Sequence, residues 1–374
     1  MIETEVITLL LLFFLLIIGI VIGRSRSLFA AVMLSGIFSL LSAALFVLMD
    51  AVDVAFTEAA VGAGISTVLM MVVLNLTTDK ESAPIQPKIF PLLVALITGG
   101  TLLYATGDMP GFGDGKAPIH ASKITVSAED WKAPLHKNTT VTVQDKFENL
   151  VTPESIVDVD GGKQVTLTAA EHYVKESYGE SHIPNIVTTV LGSYRGYDTL
   201  GETTVVLTAA IAVIMIIGRT RDKVATVVKP DSILLVGSKM LIPYILLFAL
   251  YVQFHGDFGP GGGFQAGVIF AAAFILHAMV TSLNETQQAL PFHVVEKLIP
   301  IGVVLYAGVG VVCILLGGNY LEYNVLDSHY DPAQGGASYH GQHLGIILIE
   351  AGVGITVFSA MVALFYKFAL RGRK

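Results

Sequence analysis

Nine apolar runs constrain this chain more than anything else in it. They fall at 6–23, 27–48, 55–76, 89–107, 204–218, 234–253, 261–281, 298–317 and 344–367. A helix needs about 20 apolar residues to cross the hydrocarbon core of a bilayer. Inside it, each backbone N–H and C=O must find its partner within the segment, as a helix allows. Hydrophobic residues make up 53% of the chain and charged residues 14%, too apolar a balance for a soluble protein. The first run does not read as a cleavable signal. Glu3 and Glu5 stand where a basic n-region belongs, and Val6 to Gly23 is a full span. The fifth run is short, and its helix is expected to reach back toward Leu200. The expected fold is an all-α polytopic membrane protein of about nine transmembrane helices, with one small α+β insertion outside the membrane.

Lysine and arginine set the expected orientation. Arg24 and Arg26 follow the first run, Lys80 and Lys88 the third, and Arg219, Arg221, Lys223 and Lys229 the fifth. Lys297 precedes the eighth run, and Lys367, Arg371, Arg373 and Lys374 close the chain. The turns 49–54, 254–260 and 318–343 hold neither residue. This alternation places the N-terminus outside and the C-terminus in the cytoplasm of a cell (inner) membrane. The segment 108–203 is then extracytoplasmic. Within it 121–126, 139–143 and 163–168 alternate as strands do, and a short helix is expected near 169–178. Three regions follow: 1–80 with three helices, 81–231 with two helices and the insertion, and 232–374 with four.

Between the sixth and seventh runs lies His255-Gly256-Asp257-Phe258-Gly259-Pro260-Gly261-Gly262-Gly263-Phe264-Gln265-Ala266-Gly267. Pro260 lacks an N–H and fits the first turn of the returning helix. Gly261, Gly262 and Gly263 permit unusual backbone angles and close approach. Gly263 and Gly267 fall on one helix face, a small-residue contact. His255 and Asp257 can both handle protons where the chain leaves the hydrocarbon.

Other chemistry finds no support. Cys313 is the only cysteine, so neither an internal disulfide nor a cysteine metal site is available. His329, His340 and His343 share a loop without ligand spacing, so no metal is expected. The glycine-rich turn has no Gly-Lys-Ser/Thr after it and is not a phosphate loop. No nucleophile–base set, nucleotide fingerprint or basic surface occurs. The chain does not read as an autonomous enzyme, as a cofactor protein or as a partner of nucleic acid.

Three stretches carry a family resemblance. Asp53-Val54-Ala55-Phe56-Thr57-Glu58-Ala59-Ala60-Val61-Gly62 resembles the C-terminal part of the large A component of Mrp-type multisubunit cation/proton antiporters, and also a small component of membrane-bound hydrogenases. The fourth run, Asn185 to Val190, and Tyr194-Arg195-Gly196-Tyr197-Asp198-Thr199-Leu200-Gly201-Glu202 resemble the next piece of that A component. Residues 232–370, through the glycine turn and Glu350-Ala351-Gly352-Val353-Gly354, resemble the B component of the Mrp antiporters. Where many family members carry a second histidine in the turn, this chain has Asp257. The resemblance implies an A-type tail fused to a B-type component, within a hetero-oligomer exchanging Na⁺ for H⁺ beside subunits like A, C, D, E, F and G. An ion-translocating subunit of a hydrogenase-like complex is the first alternative. A scaffold that binds lipid and holds the pumping subunits together is the second.

Ionisable side chains within spans are costly and mark ion paths, cavities or partners. Glu58 reads as a proton or cation relay, or as an interfacial carboxylate. Asp50 and Asp53 in the outer turn either gather cations or cap a helix. Glu350 reads as an ion-path acid or a paired structural one. Lys239 tunes a nearby carboxylate or snorkels. His277 carries protons or is a satisfied packing residue. Arg195, Asp198 and Glu202 form a network at the start of the fifth helix, structural or at the path's entrance. Gly62 and Gly64 admit a helix irregularity or close packing.

Overall fold

The computed structural model of the chain describes residues 2–74, 89–107, 123–127, 156–159, 162–218, 232–330 and 338–371. The expected strand at 139–143 and the basic residues Lys80, Lys88, Arg219, Arg221, Lys223, Lys229, Arg373 and Lys374 lie outside them. The chain divides into two compact units, one of residues 1–81 with 183–374, the other of 82–182.

The larger unit is a helical bundle. It begins with α1 (Ile2–Arg24), α2 (Leu28–Leu48) and α3 (Val52–Leu74). The smaller unit holds α4 (Ile89–Gly107), a three-stranded sheet and α5 (Ala169–Ser181). Its strands are β1 (Lys123–Ser127), β2 (Ile156–Val159) and β3 (Gly162–Thr168). They pair antiparallel in the order β1-β3-β2, with Lys123 opposite Thr168 and Ile156 opposite Val165. Two of the three expected strands are thus present, together with the expected helix.

The bundle resumes with α6, an α-helical turn (Ile186–Thr188) running into a π-helix (Thr189–Tyr194). Then come α7 (Gly196–Ile217), α8 (Ser232–His255), α9 (Gly263–Val280), the short α10 (Leu283–Ala289), α11 (Phe292–Leu315) and α12 (Tyr339–Arg371). Among the described residues, eight helices are long and apolar enough to cross a membrane. Helix α4, at 19 residues, coincides with the fourth apolar run. The fold is therefore that of a polytopic membrane protein, and every expected span is a helix. Helix α7 starts earlier than its apolar run, because Gly196 to Thr203 contributes four buried or cavity-lining positions that need not be apolar: Gly196, Thr199, Glu202 and Thr203.

The core is built on α12. It packs against α11, α9, α7 and the last part of α3. Its Ile346, Ile349, Val353, Val357, Ala360 and Ala363 are buried. Bilayer spans gain little from hydrophobicity alone, so close backbone approach carries the packing. A Cβ on Gly263 would overlap Glu350 O and meet Gly354 N, and one on Gly267 would meet Gly354 O and Val357. Gly302 of α11 faces Gly352 and Thr356 as tightly. At the far end of α12, Lys367 Nζ donates to Gly218 O (3.2 Å), the carbonyl that ends α7. It also sits 4.7 Å from the Phe292 ring centroid, a cation–π contact. By contrast α1 buries almost nothing against its own chain.

Two helices are irregular. Helix α3 is α-helical over Val52–Glu58, π-helical over Ala59–Ser66 and α-helical again over Thr67–Leu74. Ser66 Oγ (2.6 Å) and Thr67 Oγ1 (3.4 Å) donate to Gly62 O within the widened stretch. Tyrosines tie down the π-helix of α6 and the start of α7. Tyr323 O–H donates to Gly192 O (2.8 Å) and Tyr306 O–H to Gly196 O (2.8 Å). Both rings are fully buried. Tyr323 lies in the α11–α12 loop, where burial holds its phenol well above the usual range and so keeps it a donor. π-Helical turns concentrate at functional sites.

Candidate ion site

A cavity of about 390 Å³ lies within the larger unit. Its wall is assembled from the start of α3 (Asp53, Val54, Thr57), α6 (Val187, Thr188, Leu191, Gly192), α7 (Thr199, Glu202), the turn into α9 (Gly261 to Gln265) and α12 (Ile349, Glu350, Val353). Three carboxylates, Asp53, Glu202 and Glu350, border it, and among the described residues no lysine, arginine or histidine does.

Each acid is placed by its helix. Asp53 and Thr57 are one turn apart on α3 and share a face. Gln265 of α9 reaches that face, with Nε2 donating to Thr57 Oγ1 (2.7 Å) and lying 3.4 Å from Asp53 O. Glu350 projects from the middle of α12 against bare backbone. Its oxygens lie 3.0 Å from where a Cβ on Gly256 would be, and Oε1 lies 2.9 Å from one on Gly262. Any side chain at either glycine would displace it. Gly262 also needs its freedom for φ of +116°, as the residue that caps α9. The charged neighbours of Glu350 are Asp257 and Asp53. Glu202 is exposed on α7, so the cavity reaches the outer face of the chain there.

The glycine turn is tied from two sides. Gly262 N donates to Val252 O (3.0 Å), closing the turn on itself. Asn185 and Thr188 of the α6 start grip it, with Thr188 Oγ1 donating to Gly256 O (2.6 Å) and Asn185 N to Asp257 O (3.0 Å). Asp257, only 2% exposed, pairs through Oδ2 with His343 Nδ1 of α12. Burial pushes its carboxyl above the usual range, and His343 pulls it part of the way back. His343 in turn stacks on Tyr339 (centroids 5.4 Å apart). Pro260 does not sit in the first turn of α9. Helix α9 starts only at Gly263, since Gly262 takes a conformation that no helix continues.

The other singled-out residues are dispersed. Glu58 points away from the cavity. Its carboxylate abuts Gly62 of its own helix, on the side where that glycine meets Ser39 of α2. It is five residues beyond Asp53, not four, and so lies on another face. Asp50 is exposed in the turn at φ 57°. Neither Asp50 nor Asp53 caps α3, whose cap residue is Ala51 without a side-chain bond. Lys239 is exposed on α8, consistent with snorkelling. His277 bonds Thr286 Oγ1 (2.7 Å) at the opposite end of α9, a satisfied histidine. His255 stacks on Tyr251 (4.8 Å). Arg195 and Asp198 form an exposed ion pair (Nε–Oδ2 2.6 Å), and both act electrostatically on Glu202. The three histidines do not share a loop: His329 lies in it by Asp327, while His340, against Tyr339, and His343, on Asp257, belong to the start of α12. Ser338 and the His329 N–H hold the Asp327 carboxyl below its usual range.

Sequence reasoning passes over Thr57, Gln265, Thr188 and Thr199 as site residues. Gln265 and Thr57 stand inside the stretches that carry the resemblance, but neutral amides and hydroxyls raise no alarm in a span. Asn185, too, enters only as the first residue of such a stretch.

Family models match three stretches of the chain. A family model described as a domain related to the MnhB subunit of Na⁺/H⁺ antiporter matches residues 233–363. Models of two MBH subunits, MbhD and MbhE, match residues 13–79 and 162–233. The putative antiporter protein mnhB2 of Staphylococcus haemolyticus is 32% identical over 136 residues, 35% of this chain and 94% of that protein. The probable K⁺/H⁺ antiporter A/B protein of Rhizobium meliloti is 25% identical over 227 residues, 54% of this chain but 22% of that protein. The solved Mrp complex from Dietzia sp. DQ12-45-1b shares the fold, with a TM-score of 0.62 and 21% identity over 96% of this chain and 34% of the matched one. Since the chain spans nearly all of an mnhB2 relative above 30% identity, it belongs to the family of antiporter subunits related to MnhB.

Proposed function

We propose that this membrane subunit of a multisubunit cation/proton antiporter carries part of the ion route in its cavity. The observation that supports this is three carboxylates sharing one cavity with no basic side chain among the described residues of its wall. Carboxylates brought together in a low-dielectric space resist common ionisation and take up protons or a cation instead. Proton and metal ion then compete for the same oxygens, so that loading one releases the other. Glu350 is the central acid, Asp53 its neighbour across the cavity, and Glu202 the acid at the open side. Na⁺ is the proposed cation, after the Na⁺/H⁺ antiporter named in the matching model; the A/B relative is named for K⁺. Subunits like A, C, D, E, F and G of an antiporter are the proposed partners. The cell membrane with N-terminus outside and C-terminus in the cytoplasm is the proposed setting. The three matched models support a division into an A-tail-like region, a second region bearing the insertion, and a B-like region.

The test is Glu350→Gln in everted vesicles carrying the whole complex. Exchange should fall at least about tenfold, as for loss of a positioned proton-transfer group, with subunits still co-purifying. Normal exchange would remove the cavity from the route, and lost assembly would favour the scaffold reading. Glu58→Gln in the same assay separates a second relay, facing α2, from a route confined to the cavity. The matches to MBH subunits favour one further reading, a module of a redox-driven complex. Genes for iron–sulfur and nickel-site subunits alongside would support it.

A further inference from the structure

We propose that Asn185 is a positioning residue that couples Asp53 to the glycine turn on which Glu350 rests. This deepens the cavity reading and rests on it. Asn185 Nδ2 lies 2.9 Å from Gly256 O, 3.0 Å from Gly259 O and 3.3 Å from Asp53 Oδ1. A primary amide has two hydrogens to donate, so three acceptors compete for two bonds. The side-chain oxygen is already committed, accepting from Val187 N (3.0 Å) as the cap of α6.

The competition depends on charge. Hydrogen bonds to an ionised acceptor are roughly twice as strong as neutral ones. An ionised Asp53 therefore draws one amide hydrogen away from a turn carbonyl. Once a proton or cation neutralises Asp53, that advantage is gone and the amide returns to Gly256 O and Gly259 O. The parts around it stay fixed. Gln265 bonds Thr57 at the start of α3, and Thr188 keeps hold of Gly256 O. The turn that receives the change is backbone packed directly on Glu350, at Gly256 and Gly262. One amide thus links two acids borne on different helices.

Two substitutions at Asn185 keep the helix cap, because serine and aspartate cap as well as asparagine. Asn185→Ser replaces the two amide hydrogens with a single O–H one bond closer to the backbone, and Asn185→Asp sets a carboxylate facing Asp53. In vesicles with the whole complex, the apparent KM for Na⁺ should fall about fivefold for Asn185→Ser, because the empty, ionised Asp53 loses a donor worth more to it than to a neutral carbonyl. It should fall further for Asn185→Asp, whose added negative charge also attracts the cation, with Vmax at saturating Na⁺ within about twofold of the parent. A role confined to holding the fold would lower Vmax and assembled complex while leaving KM alone. The contact is read without transport by a double-mutant cycle on the melting temperature of the purified complex. The loss from Asn185→Asp should shrink when Asp53→Asn is also present. An additive cycle, or unchanged KM in both variants, overturns the proposal. Normal exchange by Glu350→Gln would instead refute the cavity reading, and a non-additive cycle would still establish the link to Asp53.

Discussion

Gly263→Ala would place a methyl group where α9 and α12 touch backbone to backbone. The new Cβ would lie 2.8 Å from Val353 Cβ and 2.9 Å from Gly354 N, and closer still to Glu350 O. Ordinary contact begins at 3.4 Å, so Gly354 N alone requires about 0.5 Å of retreat and Glu350 O requires more. Main chain cannot swing aside as a side-chain end does, so the helices must part. Overpacking of this kind costs about 1–3 kcal/mol, against a helix-propensity gain of at most about 1 kcal/mol. The net loss of about 1–2 kcal/mol corresponds to a melting temperature lower by about 2–8 °C. Gly308→Ala in α11 is the control, since a Cβ there meets nothing within 4 Å. It should melt at or slightly above the parent. The assay is heating of the purified complex followed by size-exclusion chromatography, with exchange measured in parallel. Exchange should fall with Gly263→Ala, because the displaced carbonyl belongs to Glu350 itself. Equal melting of the two variants would refute the backbone-contact reasoning.

Tyr323→Phe removes only a hydroxyl and leaves Gly192 O without its donor in the π-helix of α6. A buried acceptor left unmet costs about 1–3 kcal/mol, and melting should drop accordingly; an unchanged melt would mean that the carbonyl finds another donor. Asp257 has a carboxyl raised by burial, so the folded state favours its protonated form. Its contribution is greatest below the ordinary carboxylate range and is lost as pH rises through the raised value. His343→Gln takes away the partner that opposes this rise. The variant's melting temperature should therefore fall more steeply than the parent's between acid and neutral pH. Parallel pH–melting curves would show that the pair does not matter.

The spans are legible because a bilayer imposes length and composition on each one separately. What the sequence hides is which residues meet. Asp53, Glu202 and Glu350 stand about 150 residues apart in turn, and only the packing of α12 against α3 and α7 brings them to one cavity. Glu58 carries the same local signal as Asp53, yet its place five residues on, rather than four, turns it toward α2. Of the two π-helices, that of α3 falls where Gly62 and Gly64 admit an irregularity, whereas that of α6 has no such reading in the sequence. Ser66 and Thr67 bond the widened stretch in one case, and the distant Tyr323 does so in the other. Asp257 and His343 lie 86 residues apart, and no periodicity connects them. Pro260 misleads because a proline rule for helix starts yields to the positive φ of Gly262.

The central position of α12 has a consequence for biogenesis. It is the last described helix in chain order, and the ribosome delivers it after all those it holds together. Until then α3, α7, α9 and α11 reside in the bilayer with their glycine and carboxylate faces unmatched, a state open to misassembly and degradation. The contacts that close the bundle around α12 therefore form only once that segment is in the bilayer.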